Sequence, residues 1–236
     1  MGTSKSYSTP TGGKWTNLKA NLTSMINENN FSDGKVKLLF DEYVKAKGAT
    51  SKSDWSAASR KVAKKLISFV QDVGSLGLEG ALEKNGLQNL LGQPLNILTY
   101  SLLDFLCENT NLLDEVLARI ALQKTLSELL MNANDAEEVE KILKQNSNQM
   151  SLENILFIFF GNYIFEQFTS NFYESHLKNL EDSTLKSELK QINDFIKSLL
   201  KKRTYERNIL EIDWTGREGD EIISEMQDIA YKVFGE

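Results

Sequence analysis

The chain has 236 residues, of which 41% are hydrophobic and 25% charged, and its net charge is −6 at neutral pH. This composition is typical of a soluble globular protein with enough length for one large core or two small ones. The single cysteine, Cys107, excludes an internal disulfide and favours a cytoplasmic location. The longest apolar stretch, at residues 155–165, is too short to span a bilayer and predicts a buried helix, so we expect no membrane association.

The first fourteen residues differ in composition from everything that follows. Residues 1–14 contain three glycines, one of the two prolines and six Ser/Thr residues, and they contain no acidic residue. Such a segment buries too little apolar surface to offset the conformational entropy lost on ordering. The sequence therefore predicts a flexible N-terminal arm over residues 1–14.

The remaining residues predict an all-α protein. Apolar residues recur at helical spacing almost throughout, which indicates an irregular helical bundle of about eight to ten helices. A turn or linker at residues 48–53 would separate a small basic helical segment, residues 15–47, from a main helical domain, residues 53–236. The pattern leaves open whether these two parts form a single domain.

Polar residues ahead of apolar periodic stretches predict several helix starts. Ser53 and Ser151 are expected N-caps, since a serine oxygen can accept a hydrogen bond from the first-turn amides. Asp135 and Glu138 have the spacing of a capping box before another helix.

Two segments depart from the helical pattern. Gly74, Gly77, Gly80 and Gly86 interrupt the periodicity, so residues 74–92 are expected to form short helical turns. Residues 209–214 alternate apolar and polar side chains and are the only plausible strand, although a lone strand has little to pair with.

The residue types that usually carry catalysis or bind metals are sparse. His176 is the only histidine and has no cysteine near it in the sequence, which argues against a zinc site. Cys107 follows Phe105 and Leu106 on an apolar stretch and is expected to be buried and unreactive. The glycine-containing segments lack phosphate-loop spacing. We therefore expect no catalytic residue, metal or cofactor in this chain, which would not be an enzyme.

Positive charge is concentrated toward the N-terminus. Residues 1–65 contain 12 Lys/Arg and 5 Asp/Glu, whereas residues 66–236 contain 15 and 28. This asymmetry is typical of solvated helix faces, but Lys61, Lys64 and Lys65 could also bind nucleic acid or an acidic partner. A second basic cluster, with Tyr205 among its residues, comprises Lys197, Lys201, Lys202, Arg203 and Arg207. It is interpreted as a solvated helix terminus, with phosphate binding as the alternative.

The N-terminal arm offers a distinctive reactive group. Removal of Met1 would leave Gly2 with a free α-amino group, whose pKa of about 7.7–8 is well below the 10.4 of lysine. About 10–15% of such an amine is unprotonated at neutral pH. Glycine also has no Cβ, so its backbone can enter a narrow channel. These properties suit a peptide end that is delivered into the active site of another protein.

Two interpretations of the N-terminal sequence differ in the group that would be attached to Gly2. Met1–Gly2 with Ser6 matches the N-myristoylation pattern, which is short and requires a eukaryotic-type transferase. The stretch Met-Gly-Thr-Ser-Lys-Ser-Tyr, followed by Pro10 and Gly12-Gly13, instead resembles the start of the QatB family of the bacterial Qat anti-phage defence system.

This resemblance implies a bacterial, cytoplasmic, non-enzymatic defence component with specific partners. Qat systems also encode an ATPase, a TatD-like nuclease and QatC, which is similar to QueC-type 7-cyano-7-deazaguanine synthases. Those enzymes use ATP to activate a deazaguanine carboxylate for attack by an amine. By resemblance, Gly2 would receive the 7-deazaguanine base, and ATP and any zinc would belong to the partner enzyme. The expected partner-binding residues are Gly2, Thr3, Ser4, Lys5, Ser6, Tyr7, Pro10, Gly12 and Gly13. The alternative is a helical adaptor that binds nucleic acid or a defence ATPase through the basic N-terminal third.

Overall fold

The computed structural model describes residues 10–28, 30–47, 56–107, 112–172, 182–202, 205–214 and 216–233. Within these ranges the chain forms nine α-helices and no strand, which confirms the predicted all-α class. The helices are α1 (Gly13–Asn27), α2 (Asp33–Lys47), α3 (Ala57–Lys84), α4 (Leu95–Leu106), α5 (Leu113–Leu129), α6 (Ala136–Gln145), α7 (Gln149–Phe172), α8 (Asp182–Leu200) and α9 (Arg217–Lys232). A short 3-10 turn, Gln88–Leu90, precedes α4.

Helix α7 forms the centre of the bundle. It contacts α3, α5, α8 and α9, and its apolar residues, including Phe159, Phe160 and Ile164, are buried around most of its circumference. A helix that is hydrophobic on nearly all sides is expected at such a central position. None of the helices in the described ranges combines the length and apolarity needed to cross a membrane. The apolar stretch within residues 155–165 is buried in the bundle as a core helix, as predicted.

The hairpin of α1 and α2 packs onto the C-terminal end of α7 through aromatic rings. The Phe40 and Phe168 ring centroids are 4.7 Å apart, and the Tyr43 ring meets Phe168 edge-on at 5.5 Å. The ring centroid of Trp15, in α1, lies 5.9 Å from that of Tyr43 and 6.2 Å from that of Phe172. Separations of this size are typical of favourable aromatic pairs. The proposed boundary at residues 48–53 lies outside the described residues, so the division into two domains stays a prediction.

Helix α3 continues through most of the segment that was expected to break into turns. Gly74 and Gly80 lie within the helix, and only Gly77 leaves helical geometry, with φ 77° and ψ 172°. Leu78, Ala81 and Leu82 are buried after this kink, so the second half of the helix is held by the core. The prediction of short turns over residues 74–92 was wrong for its first half, because burial of these side chains offsets the low helix propensity of glycine.

The helix caps agree only partly with the predictions. Ser53 itself lies outside the described residues, and the cap of α3 is Ser56, which accepts a hydrogen bond from the Ser59 amide at 3.0 Å. Ser151 lies inside α7, and its amide donates instead to the Asn148 side chain at 3.1 Å. Both serine predictions failed because a neighbouring polar residue occupies the cap position.

The predicted capping residues of α6 are confirmed. Asp135 accepts a hydrogen bond from the Glu138 amide at 2.9 Å. Glu138 reaches back to the Asn134 amide at 2.7 Å, one residue before the amide that a standard capping box engages.

The predicted strand at residues 209–214 is wrong, since this segment is irregular. Side chains from other elements satisfy its backbone. The Ile209 amide donates to Gln149 Oε1 at 3.0 Å, and Gln71 Nε2 donates to the Ile209 and Leu210 carbonyl oxygens at 3.1 Å. The alternation reflects burial of Ile209 and Trp214 against the helices rather than pairing with a second strand.

Candidate functional site at the arm root and a basic groove

Most of the predicted partner-binding residues lie outside the described residues. These are Gly2, Thr3, Ser4, Lys5, Ser6 and Tyr7. Pro10, Gly12 and Gly13 are described, and they form what we call the arm root, residues 10–13. The structure therefore shows where the arm joins the helical body.

The arm root is tied to α1 and α2 by lysine side chains. Lys19 Nζ donates to the Pro10 carbonyl oxygen at 2.9 Å, and Lys14 Nζ donates to the Lys45 carbonyl oxygen at 3.3 Å. Trp15, the first aromatic residue after the root, is partly buried against the core formed by α2 and α7. These contacts place the root beside the C-terminal end of α2.

Helix α1 begins at Gly13, two residues earlier than the predicted start at Trp15. Gly12 precedes it with φ 118°, a backbone conformation that glycine adopts readily and other residues rarely do. Its carbonyl oxygen accepts from the Thr16 amide at 2.9 Å, which closes the first turn. A Cβ added at Gly12 or Gly13 would have nothing within 4 Å, so both glycines border open space.

A buried polar cluster connects α2, α5, α7 and α9 near the C-terminal end of α2. Lys47 Nζ donates to Gln167 Oε1 at 2.6 Å, and the Tyr231 hydroxyl donates to the same oxygen at 2.7 Å. Gln167 Nε2 donates to the Tyr163 hydroxyl at 2.7 Å, and that hydroxyl donates to Asp114. The cluster thus satisfies polar groups that would be costly to bury without partners.

Burial shifts the pKa values of the lysine and the tyrosines in this cluster. Desolvation lowers the pKa of Lys47 to about 8, although the negative charge of Asp114 opposes that shift. Desolvation raises the pKa of both Tyr163 and Tyr231, and Asp114 contributes in the same direction. Both tyrosines therefore stay neutral hydrogen-bond donors over the physiological pH range.

A second feature is a groove of about 620 Å³ along the first half of α3, which we call the basic groove. One side carries four cationic side chains, Arg60, Lys61, Lys64 and Lys65. Residues at these spacings share one face of a helix. The other side is formed mainly by Phe105, Trp214 and Asp220. The three lysines that the sequence singled out are thus brought together.

Contacts with the opposite wall position two of these lysines. Lys64 Nζ lies 2.6 Å from Asp220 Oδ1 and donates to the Gly216 carbonyl oxygen at 3.3 Å. Lys65 Nζ donates to the Phe105 carbonyl oxygen at 3.3 Å and lies 5.7 Å from the centre of the Phe105 ring. The carbonyl of Phe105 belongs to the last turn of α4, where a cation is favoured by the helix dipole.

Two members of the other basic cluster, Lys197 and Arg207, are compensated by acidic side chains. Lys197 Nζ lies 2.5 Å from Glu128, and Arg207 Nη1 lies 3.3 Å from Glu225. The Tyr205 hydroxyl also donates to Glu225, and burial raises the pKa of that hydroxyl. Arg203 lies outside the described residues, whereas Lys201 and Lys202 are exposed. These contacts support the interpretation of the cluster as a helix terminus.

Cys107 is buried, with 3% of its surface exposed, as the sequence predicted. Desolvation raises the pKa of its thiol to about 11, although the nearby Arg119 and Lys65 act in the opposite direction. Within the described residues, no group of three His, Cys, Asp or Glu side chains is placed to hold a metal ion. His176 lies outside those residues.

Sequence reasoning missed the opposite wall of the basic groove. Phe105, Trp214 and Asp220 come from segments distant from α3 in the chain, so no local pattern associates them with the lysines. Trp214 had been assigned to the predicted strand. The acidic residues 218–221 look like an ordinary helix start, and only the packing of α9 against α3 brings Asp220 to Lys64.

Together these features define the chain as an all-α protein with a fixed arm root and a cationic groove. Comparison with family models identifies the particular family. The model described as "Qat anti-phage system associated protein QatB" matches residues 47–234, and the chain belongs to this family. A comparison with curated proteins found no significant match, and neither did one with solved structures.

The family match confirms the resemblance noted in the sequence, although it comes from another part of the chain. The resemblance rested mainly on the first 13 residues, whereas the family model begins at Lys47, the last residue of α2, and covers the helical body. The chain is accordingly a component of the Qat anti-phage defence system, with partners within that system.

Proposed function

We propose that this chain presents the α-amino group of Gly2 to the QueC-like Qat enzyme, QatC, for ATP-dependent attachment of a 7-deazaguanine base. The chain serves as substrate and binding partner, and the catalytic residues, ATP and any zinc belong to the partner. Membership of the QatB family carries this proposal, because it associates a chain that starts Met-Gly with the Qat system.

The chemistry requires a nucleophilic amine and an activated carboxylate. ATP converts the deazaguanine carboxylate into an acyl donor with a good leaving group. The unprotonated Gly2 nitrogen attacks the carbonyl carbon, an amide bond forms, and the leaving group and one amine proton depart. With a pKa near 8, an α-amino group has a far larger unprotonated fraction at neutral pH than a lysine does.

The arm root supports delivery of this amine. Lys19, Lys14 and Trp15 fix the root against α1 and α2, so the arm begins at a defined point of the body. The eight residues before Pro10, counted from Gly2, can span at most about 28 Å when fully extended. That length is about the diameter of a small domain, so it is sufficient to place Gly2 in a pocket of a partner that contacts the body near the root.

Residues 3–7 and the root would form the contacts with the partner. Thr3, Ser4 and Ser6 are short hydrogen-bonding residues that suit an extended peptide in a channel, and Lys5 and Tyr7 add charge and aromatic surface. The Qat ATPase and the TatD-like nuclease are further proposed partners.

The test is the intact mass of the chain after co-expression with the QueC-like enzyme of its own system. We expect the chain without Met1 to gain the mass of the deazaguanine carboxylic acid less one water. Co-expression with a catalytically inactive partner enzyme supplies the control, and it should leave the mass of the chain without Met1 unchanged. An unchanged mass beside the active partner would contradict the proposal.

The adaptor function is a second candidate because the structure brings Arg60, Lys61, Lys64 and Lys65 into one groove. It would operate through binding alone and would leave Gly2 unmodified. Because the groove and the arm root consist of different residues, one chain can carry both activities. The ligand of the groove is a separate question.

A further inference from the structure

We infer that the basic groove binds a single strand of nucleic acid, with the phosphates against the lysine face of α3. This inference is independent of the modification of Gly2. It rests on the charge of the groove, on the hydrogen-bonding groups that line it, and on its dimensions.

The groove is cationic although the whole chain is acidic. Among the described residues that line it, four are cationic, Arg60, Lys61, Lys64 and Lys65, and one is a carboxylate, Asp220. The chain as a whole carries a net charge of −6, so the charge of the groove is opposite in sign to the net charge of the protein. A local excess of cations in a concave site focuses the electrostatic potential and raises the local concentration of anionic ligands.

The groove also contains donors that the protein leaves available. An ammonium group carries three N–H donors. The hydrogen bonds of Lys64 and Lys65 within the described residues use two and one of them, respectively. These contacts hold both ammonium groups in place, so binding an anion costs less side-chain entropy than it would for a freely rotating lysine.

Trp214 contributes a buried, unsatisfied donor to the groove wall. Its side chain lines the groove and is 3% exposed, and its Nε1 has no hydrogen-bond partner among the described residues. The indole N–H is only a donor, and an unsatisfied buried donor costs about 1–3 kcal/mol. Because Nε1 is itself sealed from solvent, a ligand oxygen would reach it only if the indole shifted on binding, so the donors that carry the inference are those of the lysines.

The dimensions and the aromatic wall favour a single strand over a duplex. The groove has a volume of about 620 Å³, which is in the range of small-molecule pockets. A groove of this size can hold the nucleotides of one strand, whereas a double helix is too wide for it. Phe105 lies opposite the lysines and is partly buried. A basic groove with an aromatic side chain is the common arrangement in proteins that bind single strands without sequence preference.

The test measures binding of a fluorescein-labelled twelve-nucleotide oligothymidine to the full chain by fluorescence anisotropy. We expect affinity to fall as salt rises from about 50 to about 200 mM, because phosphate contacts release counterions. A matched duplex and free ATP should compete weakly. Equal binding of the duplex, or binding of ATP with no binding of the oligonucleotide, would overturn the inference.

Two substitutions with opposite expected effects identify the groove as the site. Lys61→Glu reverses an exposed charge and should weaken binding about tenfold. Asp220→Asn removes a negative charge from the groove but keeps an oxygen that can accept from Lys64, so it should strengthen binding about threefold. Loss of folding cannot produce tighter binding, so the Asp220 variant keeps the test decisive.

The matched controls are Lys141→Glu and Glu137→Gln on α6, which contributes no residue to the groove. Both should change the affinity by less than about twofold. If Lys61→Glu behaves like Lys141→Glu, or if Asp220→Asn fails to strengthen binding, the groove is not the binding site.

Discussion

Lys47 is the residue at which charge and burial conflict most clearly. Its ammonium donates to Gln167 and lies 5.8 Å from the centre of the Tyr231 ring, in a cluster that also contains Asp114 and Tyr163. Asp114 attracts the charge, yet desolvation dominates and lowers the pKa of Lys47 to about 8. The folded state therefore holds this proton less tightly than the unfolded chain does.

This imbalance predicts a specific pH dependence of stability. Between about pH 8 and 10 the folded protein loses the Lys47 proton while the unfolded chain keeps it, so the unfolded state binds more protons and stability rises with pH. Below pH 8 the cost of burying the charge is constant. The full effect is at most about 3 kcal/mol.

Lys47→Met isolates this contribution. The difference in unfolding free energy between the original chain and the variant should shift in favour of the original as pH rises from 8 to 10, measured by urea unfolding. Titration of Cys107 and of the buried tyrosines is common to both chains and cancels in the difference. Lys37→Met, at an exposed position of the same helix, is the control. A pH-independent difference for Lys47→Met would contradict the account.

At the scale of the element, the kink in α3 depends on Gly77. Its φ of 77° and ψ of 172° lie in a region that is essentially restricted to glycine. An added Cβ would also lie 3.3 Å from Glu140 Oε1, whose carboxylate accepts a hydrogen bond from the Leu78 amide at 3.1 Å. The kink thus receives support from α6.

Gly77→Ala should destabilise the protein by about 1–3 kcal/mol, because alanine is strained in this conformation. Gly34→Ala is the contrasting variant, since Gly34 lies in α2 with open space around its Cβ position. It should be neutral or stabilise by up to about 1 kcal/mol. Thermal unfolding measures both, and equal effects of the two substitutions would show that the kink is not strained.

The Asp135 cap should contribute measurably to the stability of α6. Asp135→Ala removes the oxygen that accepts from the Glu138 amide and should cost about 1 kcal/mol of unfolding free energy. Asp135→Asn retains an accepting oxygen and should cost much less. Urea unfolding distinguishes them, and equal losses would attribute the effect to charge rather than to the cap.

The elements show how far the sequence predicts this fold. Helical periodicity identified the all-α class, the central helix around Phe159 and Phe160, and the buried position of Cys107, because each depends on local apolar spacing. The irregular segment at residues 209–214 was misassigned because Gln71 and Gln149, distant in the sequence, satisfy its backbone. The cap of α7 was misplaced because Asn148, three residues before Ser151, accepts the hydrogen bond from the Ser151 amide.

The candidate sites follow the same rule. The lysines of the basic groove were identifiable from the charge of residues 1–65 because they are close in sequence. Their opposite wall was not identifiable, since Phe105, Trp214 and Asp220 meet them only through the packing of α4 and α9. The proposed reactivity of Gly2 follows from general amine chemistry, and the proposed modifying enzyme is the one that the resemblance to the family implies.

Across the whole molecule, aromatic contacts among α1, α2 and α7 join the arm root to the part of the chain that the QatB family model matches, residues 47–234. The QatB match begins at the end of α2, yet Trp15, Tyr43 and Phe40 belong to one continuous core with Phe168 and Phe172. A partner that docks on the body near the root would therefore find the arm at a fixed starting point.

The α-amine of Gly2, and no lysine, is the proposed acceptor of the deazaguanine base. Fragment-ion mass spectrometry of the N-terminal peptide, taken from chain co-expressed with the proposed QueC-like partner, locates the modified nitrogen. We expect the added mass on Gly2 both in the original chain and in Lys5→Arg, a substitution that keeps the charge of the arm. Added mass on the ε-amine of Lys5 or Lys14, or an N-terminal peptide without added mass, would contradict the proposal.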